Sequence, residues 1–372
     1  MTTMLDLPTA VDLFSGVGGM SLGVSRAGFQ LACSVELDAI ASATHKINFP
    51  AARHLQHDVA ELDAKTLWPS AVKLDLMVGG PPCQGFSTMG HGRPDDPRND
   101  LFGHFFRIVA EAKPRAFLAE NVPGLLAPKN AATIEAALSR LPSKYRVLRP
   151  TVVSAEELGA PTTRKRVFFF GYDPDEVDSV TELDLFGPEA VTAPTVGEAL
   201  KGMPGVRSSW QLPSQGWRKI CYDGMRADLV ANLSSNIPPG VGSAYAIEQL
   251  AVGGLTSGNL GTEHTAEVVE RFRRTPQGRT EPISRFPRLK ESGYCPTLRA
   301  GTGSDRGSFQ AVRPIHHRAH RVVSPREAAR LQGFPDWFQF HDTKWHAFRQ
   351  IGNSVSPVVA EVIVKRIRRL MV

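Results

Sequence analysis

Between residues 10 and 172 the chain alternates short apolar runs with longer stretches of helical periodicity, and this alternation restricts the fold more than any other feature. The runs at 10–14, 29–36, 74–79, 116–120 and 166–171 read as strands, and the connecting segments are long enough to cross over a sheet as helices. A doubly wound α/β sheet is the expected core. Each of the first four runs ends at a polar or glycine-rich residue, and ligands of open α/β sheets bind beyond the carboxyl ends of their strands. Phe14, Glu36, the segment after Gly79, and Glu120 should therefore gather along one edge.

The sequence has 372 residues, more than a usual single domain, so a large core with a smaller lobe is expected. From about Asp173 the periodicity gives way to acidic, Pro- and Gly-rich sequence, and little regularity returns before about residue 315. Within this stretch Arg271, Arg273, Arg274, Arg279, Arg285, Arg288 and Lys290 alternate with Phe272 and Phe286. They read either as a solvated surface or as a set of phosphate contacts. The segment 297–304 reads as a flexible polar loop. Order returns at Ser324-Pro325-Arg326-Glu327, an N-cap serine with proline at the first helical position. The last segment carries Val359, Ile363 and Ile367 on one helical face, so it should pack back on the first lobe. The expected division is 1–185, an intervening 186–315, and 316–372 returning to the first part.

Lys and Arg total 43 against 37 Asp and Glu, a formal charge of +6, which favours a polyanionic partner without naming one. The four cysteines, Cys33, Cys83, Cys221 and Cys295, are far apart and form no CxxC pair, so neither a disulfide framework nor a metal site is expected. No apolar run reaches the length of about 18 residues that a membrane span needs. A soluble protein in a reducing, intracellular compartment fits these features.

The strand ending at Phe14 leads into Ser15-Gly16-Val17-Gly18-Gly19, a turn whose missing side chains let a ligand approach the backbone. Taken alone, it is equally a plain strand-to-helix turn. A dinucleotide fingerprint would place glycine where this chain has Ser21, which disfavours a nicotinamide cofactor. Glu36 lies about twenty residues on, where an acid can hold ribose hydroxyls, and Asp58 follows the next strand position. Farther along, Pro81-Pro82-Cys83-Gln84 puts a thiol behind two residues of fixed φ, followed by a polar stretch through Asp100 that looks like an exposed loop.

With Glu120-Asn121-Val122 and Gln350-Ile351-Gly352-Asn353-Ser354-Val355 added, these segments in this order resemble the DNA (cytosine-5)-methyltransferase family. The resemblance covers about 8–172 and 318–360, and the stretch between matches loosely. It implies a Rossmann-like S-adenosylmethionine-dependent methyltransferase domain with a smaller, irregular target-recognition domain at 186–315. It also implies a catalytic set of Cys83, Glu120, Arg164 and Arg166. Phe14 would pack near the adenine, Glu36 hold the ribose, Asp58 receive the adenine amino group and Leu101 contact the adenine. Ser15, Gly16, Gly18, Gly19 and Pro82 would complete the cofactor site, with Asn353 and Val355 around the methionine end. The family's Gln-x-Arg-x-Arg reads Thr162-Thr163-Arg164-Lys165-Arg166 here, with Thr162 in place of glutamine, and Ser356 stands where the family often has proline.

The implied chemistry accounts for pairing a thiol with a carboxyl. Cytosine C5 is too weak a nucleophile to attack a sulfonium methyl, and a thiolate added at C6 makes the ring enamine-like. A carboxyl at N3 assists that addition and also accepts from the exocyclic amine, which selects cytosine. The cofactor would be S-adenosyl-L-methionine, leaving as S-adenosyl-L-homocysteine, without a metal. The partner would be double-stranded DNA bound by a monomer, with a cognate restriction endonuclease as a possible genetic companion and a cytoplasmic, nucleoid-associated location in a prokaryote or phage. A tRNA-directed enzyme and a non-catalytic DNA-binding relative are the alternatives.

Overall fold

The computed structural model describes residues 7–68, 72–82, 100–208, 216–300 and 313–371. Its centre is a sheet of β1 (Thr9–Leu13), β2 (Gln30–Val35), β3 (Arg53–Leu55), β4 (Leu76–Gly79), β5 (Ala116–Asn121), β6 (Arg146–Val147), β7 (Thr151–Ser154) and β8 (Lys165–Tyr172). The order is β3-β2-β1-β4-β5-β8-β6, with β7 also paired to β8. Strands β3 to β5 in that order are parallel, whereas β8 runs antiparallel to β5. Apolar patterning marked 166–171 as a strand but carries no direction. Its reversal has a consequence for the site, because the start of β8 lies beside the carboxyl end of β5, with Asn121 opposite Val167.

The helices between these strands are α1 (Gly19–Arg26), α2 (Ala39–Asn48), α3 (Ala64–Leu67), α4 (Asp100–Ala112) and α5 (Ala131–Leu138). After β8 come α6 (Glu182–Phe186), α7 (Val196–Ala199), α8 (Ala227–Val230), α9 (Ala244–Gly253) and α10 (Ala266–Arg274), then α11 (Pro325–Gln332), α12 (Lys344–Asn353) and α13 (Pro357–Leu370). Helix α11 starts with the expected cap: the Ser324 side chain accepts from the Glu327 amide, Glu327 accepts from the Ser324 amide, and Pro325 fills the first turn.

One face of the sheet packs α1 and α13, where Met20 and Val24 meet Val359, Ile363, Val364 and Ile367. The other face packs α4, whose Phe102, Phe105 and Phe106 stack edge-on with one another and with Phe117 and Phe169 of the sheet. A third core joins Leu22, Leu31 and Phe49 to Val196, Ile220, Val241 and Leu250 and to Phe334 and Trp337. The early part of the irregular stretch is thus seated on the sheet edge.

The basic cluster of 271–290 divides in the structure. Arg288 is buried and donates to the carbonyls of Phe272, Thr275 and His317, so it is a structural cation. Arg271 faces Glu281, and Arg273 and Arg274 both face Glu270. Phe272 is the buried centre of a small core with Ile315 and Val322. Arg279, Arg285 and Lys290 are exposed. Residues 301–304 of the expected polar loop lie outside the described residues.

Candidate active site

The carboxyl ends of β1, β2, β4 and β5 open onto one cavity of about 740 Å3. Phe14, Ser15, Gly16, Val17 and Gly19 form its floor. The backbone turns sharply here through positive φ at Phe14 (59°) and Gly16 (55°), a conformation that strains a side-chain-bearing residue. Gly18 starts α1 at φ 101° but does not line the cavity, and a Cβ on it would lie 2.3 Å from the Phe49 ring. Gly19 has no room for a side chain either, since a Cβ would sit 2.3 Å from the Val355 carbonyl oxygen. The glycine turn and the closing 353–355 segment therefore meet directly.

Glu36 stands at the end of β2. Its Oε2 accepts from the Gly16 amide at 2.8 Å and its Oε1 from the Asp38 amide at 2.7 Å, which fixes the turn to the strand end. Burial pushes the carboxyl above its ordinary range, and these two amides pull it back. Asp58 accepts from the Ala60 amide at 2.9 Å and lines the same wall, as do Leu101 at the start of α4, Asn353 at the end of α12 and Val355 just beyond it.

At the other end of the cavity the reversed β8 brings Arg166 to Glu120, with Nε 2.6 Å from Oε1. Asn121 donates to the Pro81 carbonyl at 3.3 Å and so holds the proline pair that precedes Cys83. Pro82 lines the cavity, while Cys83 lies outside the described residues. Arg164 is buried on the same wall and donates from Nη1 to the Leu298 carbonyl at 3.1 Å; its Nε has no acceptor among the described residues. Burial holds its guanidinium well below its ordinary value, with the Arg166 charge acting in the same sense and Glu120 opposing. Thr162 is fully buried and donates from Oγ1 to the Cys295 carbonyl at 2.9 Å, joining the segment that leads to Leu298. The shorter side chain at this position is thus a stitch between β8 and residues 295–298. Ser356 is buried at the start of α13, and its hydroxyl has no partner among the described residues.

Sequence reasoning missed Asp12, Asp38 and Arg349 on the cavity wall. Asp38 had a signal, since it precedes a helical pattern and caps α2 by accepting from the Ile40 and Ala41 amides. Arg349 meets Asp38 at 2.9 Å from a helix far along the chain, and nothing local marks that pairing. Among the described residues no group of three or more His, Cys, Asp or Glu is placed to hold a metal ion, and no helix is long and apolar enough to cross a membrane.

A family profile described as C-5 cytosine-specific DNA methylase matches residues 9–369. The chain belongs to that family. It is an enzyme of the DNA (cytosine-5-)-methyltransferase class, whose members take the methyl group from S-adenosylmethionine and act on DNA. It is 38% identical to the Type II methyltransferase M.XorII of Xanthomonas oryzae pv. oryzae, over 98% of this chain and 85% of that one. It is 30% identical to the Type II methyltransferase M.AgeI of Thalassovita gelatinovora, over 96% of this chain and 98% of the other. Its structure is similar to that of a prophage-encoded Escherichia coli protein assigned as a DNA modification methyltransferase (TM-score 0.88, 44% identity, 98% of this chain and 99% of that one). The fold alone is shared with the Dnmt2 methyltransferase of Schizosaccharomyces pombe (TM-score 0.62, 17% identity, 97% of this chain and 98% of that one).

Proposed function

We propose that this methyltransferase modifies C5 of a cytosine turned out of duplex DNA, at one short recognition sequence, through a covalent bond to Cys83. The observation that carries the reading is the Glu120–Arg166 pair at 2.6 Å, on the cavity that the glycine turn and Glu36 also line. Bound in that cavity, S-adenosylmethionine supplies an electrophilic methyl group. Phe14, Glu36, Asp58, Leu101, Asn353 and Val355 would hold it, with Ser15, Gly16, Gly19 and Pro82 as backbone and steric contacts.

In this reading Cys83 adds as thiolate to C6 while Glu120 protonates or hydrogen-bonds N3, so that electron density reaches C5. Arg166, donating to Glu120 and facing the cytosine O2, orients the carboxyl and supports charge on the ring. Arg164 braces this wall and offers its remaining N–H to an anionic group. After transfer, loss of the C5 proton expels Cys83 and restores the ring. Residues 186–315 would carry target recognition, and 1–185 with 316–372 the chemistry. A monomer acting in the prokaryotic or phage cytoplasm, with a cognate restriction endonuclease, fits the Type II relatives.

Bisulfite sequencing of DNA from a methylation-free bacterial host expressing the chain tests this. Protected cytosines within one short motif, absent with Cys83→Ala, are expected; an unmodified genome with soluble protein present would overturn the reading.

A further inference from the structure

A chain of polar side chains leaves this cavity and serves no step of the proposed reaction. Asp12, at the carboxyl end of β1, is buried against the cavity, and its Oδ1 has no hydrogen-bond partner among the described residues. Its Oδ2 lies 2.5 Å from Ser21 Oγ on α1, Ser21 Oγ lies 2.9 Å from His45 Nε2 on α2, and His45 Nδ1 lies 3.0 Å from His54 Nε2 on β3. Ser21 and His45 are fully buried, while His54 is half-buried. Four elements, β1, α1, α2 and β3, each contribute one member.

Such a chain has two polarities. In one, Asp12 is protonated: it donates to Ser21, Ser21 donates to His45 Nε2, and His45 Nδ1–H donates to His54. In the other, His54 donates to His45 Nδ1, His45 Nε2–H donates to Ser21, and Ser21 donates to a carboxylate. Passing from the first to the second moves one proton along each link. His54 gains a proton at Nε2 and sheds one from its outer nitrogen to water. His45 changes tautomer and remains neutral throughout, as its burial requires.

We propose that the ammonium group of the cofactor's amino-acid end docks on Asp12 Oδ1 as carboxylate, and that Asp12, Ser21, His45 and His54 form the relay that discharges the displaced proton. The ammonium is selected over the sulfonium because only it has N–H groups to satisfy the unpartnered oxygen. The inference rests on the cavity being the S-adenosylmethionine site. The charged group acting on Asp12 is Glu36 from β2; His54 acts on His45, and Lys46 of α2 acts on His54. Burial, with Glu36 adding, pushes the Asp12 carboxyl up to about 7, so the unliganded protein holds both polarities near neutrality. Burial and Lys46, outweighing a hydrogen bond to the Ala52 backbone, hold His54 below its ordinary value, so a proton delivered there is lost.

Calorimetric titration of the full chain with S-adenosylhomocysteine, which keeps the ammonium and lacks the sulfonium, reads the proton count from buffers of different ionisation enthalpy. On the order of half a proton should be released per site at neutral pH, and affinity should rise by up to about tenfold per pH unit below that point and level off above it. In 15N spectra of the imidazoles, His45 should pass from the Nδ1–H to the Nε2–H tautomer on binding. 5′-Methylthioadenosine, which lacks the amino-acid end, should bind without either signal, and Asp12→Asn should remove the proton release. Binding of S-adenosylhomocysteine with no proton exchange and an unchanged His45 would overturn the relay alone. No binding at all would overturn the cofactor reading with it.

Discussion

Glu120 and Asp12 are two buried carboxyls on one cavity with opposite surroundings. Glu120 has a guanidinium at 2.6 Å, whereas Asp12 has a hydroxyl, a neighbouring carboxylate and one oxygen without a partner among the described residues. In the proposed reaction, replacing Glu120 by Gln keeps the shape and one acceptor but removes the proton offered to N3, so kcat should fall by about 10²–10⁴ while S-adenosylhomocysteine binds as before; single-turnover methylation with parallel calorimetry checks both. For Asp12 the stability effect has a definite sign. Its pKa is raised from 3.8 when unfolded to about 7 when folded, so the folded state holds the proton more tightly and the protein loses stability as pH rises through that window. The limit is about 1.4 kcal/mol per pH unit. Asp12→Asn should leave stability in acid little changed and gain progressively on the wild type toward neutrality, as urea midpoints at a series of pH values would show.

At the scale of elements, the contact between α1 and α13 decides the effect of a small substitution. Gly23 lies inside α1, where alanine would ordinarily stabilise by about 1 kcal/mol. A Cβ at Gly23 would, however, lie 2.4 Å from the Ala360 Cβ and 2.5 Å from the Glu361 amide nitrogen of α13. Overpacking against backbone costs about 1–3 kcal/mol or more, so Gly23→Ala should destabilise the protein, measurable by urea unfolding. That closeness was not legible in the sequence, where the glycine is an ordinary weak helix position. Strands β1, β2, β4, β5 and β8 were legible as continuous apolar runs, and with them the positions of Phe14, Glu36 and Glu120 at strand ends; β3, β6 and β7 were not, because they are short and partly exposed. The direction of β8 was not, and without it the meeting of Arg166 with Glu120 rested on family resemblance. The Asp12–Ser21–His45–His54 chain was also invisible, since its members are ordinary residues until the elements carrying them are packed together. The basic cluster was read as one surface because charge shows in a sequence, while the burial of Arg288 and the acids facing Arg271, Arg273 and Arg274 do not.

For the whole molecule, the formal charge of +6 over 372 residues is modest, so DNA affinity must come from local placement rather than from net charge. Among the described residues, exposed Arg279, Arg285 and Lys290 lie outside the ion pairs that occupy Arg271, Arg273 and Arg274. Fluorescence anisotropy with a duplex carrying the methylated motif should show affinity falling at least about tenfold between 50 and 200 mM salt, and a triple Arg279→Ala, Arg285→Ala, Lys290→Ala variant should reduce that slope. The seating of α13 on α1 also reaches into protein synthesis. Helix α1, which carries the glycine turn of the cavity, has an apolar face whose partner is residues 357–370. At about 5–20 residues per second, translation leaves that face uncovered for on the order of twenty to seventy seconds. A nascent or prematurely terminated chain would therefore hold its glycine turn unsupported, and methylating capacity would arise in one step as α13 clears the ribosome, with no gradual gain during elongation.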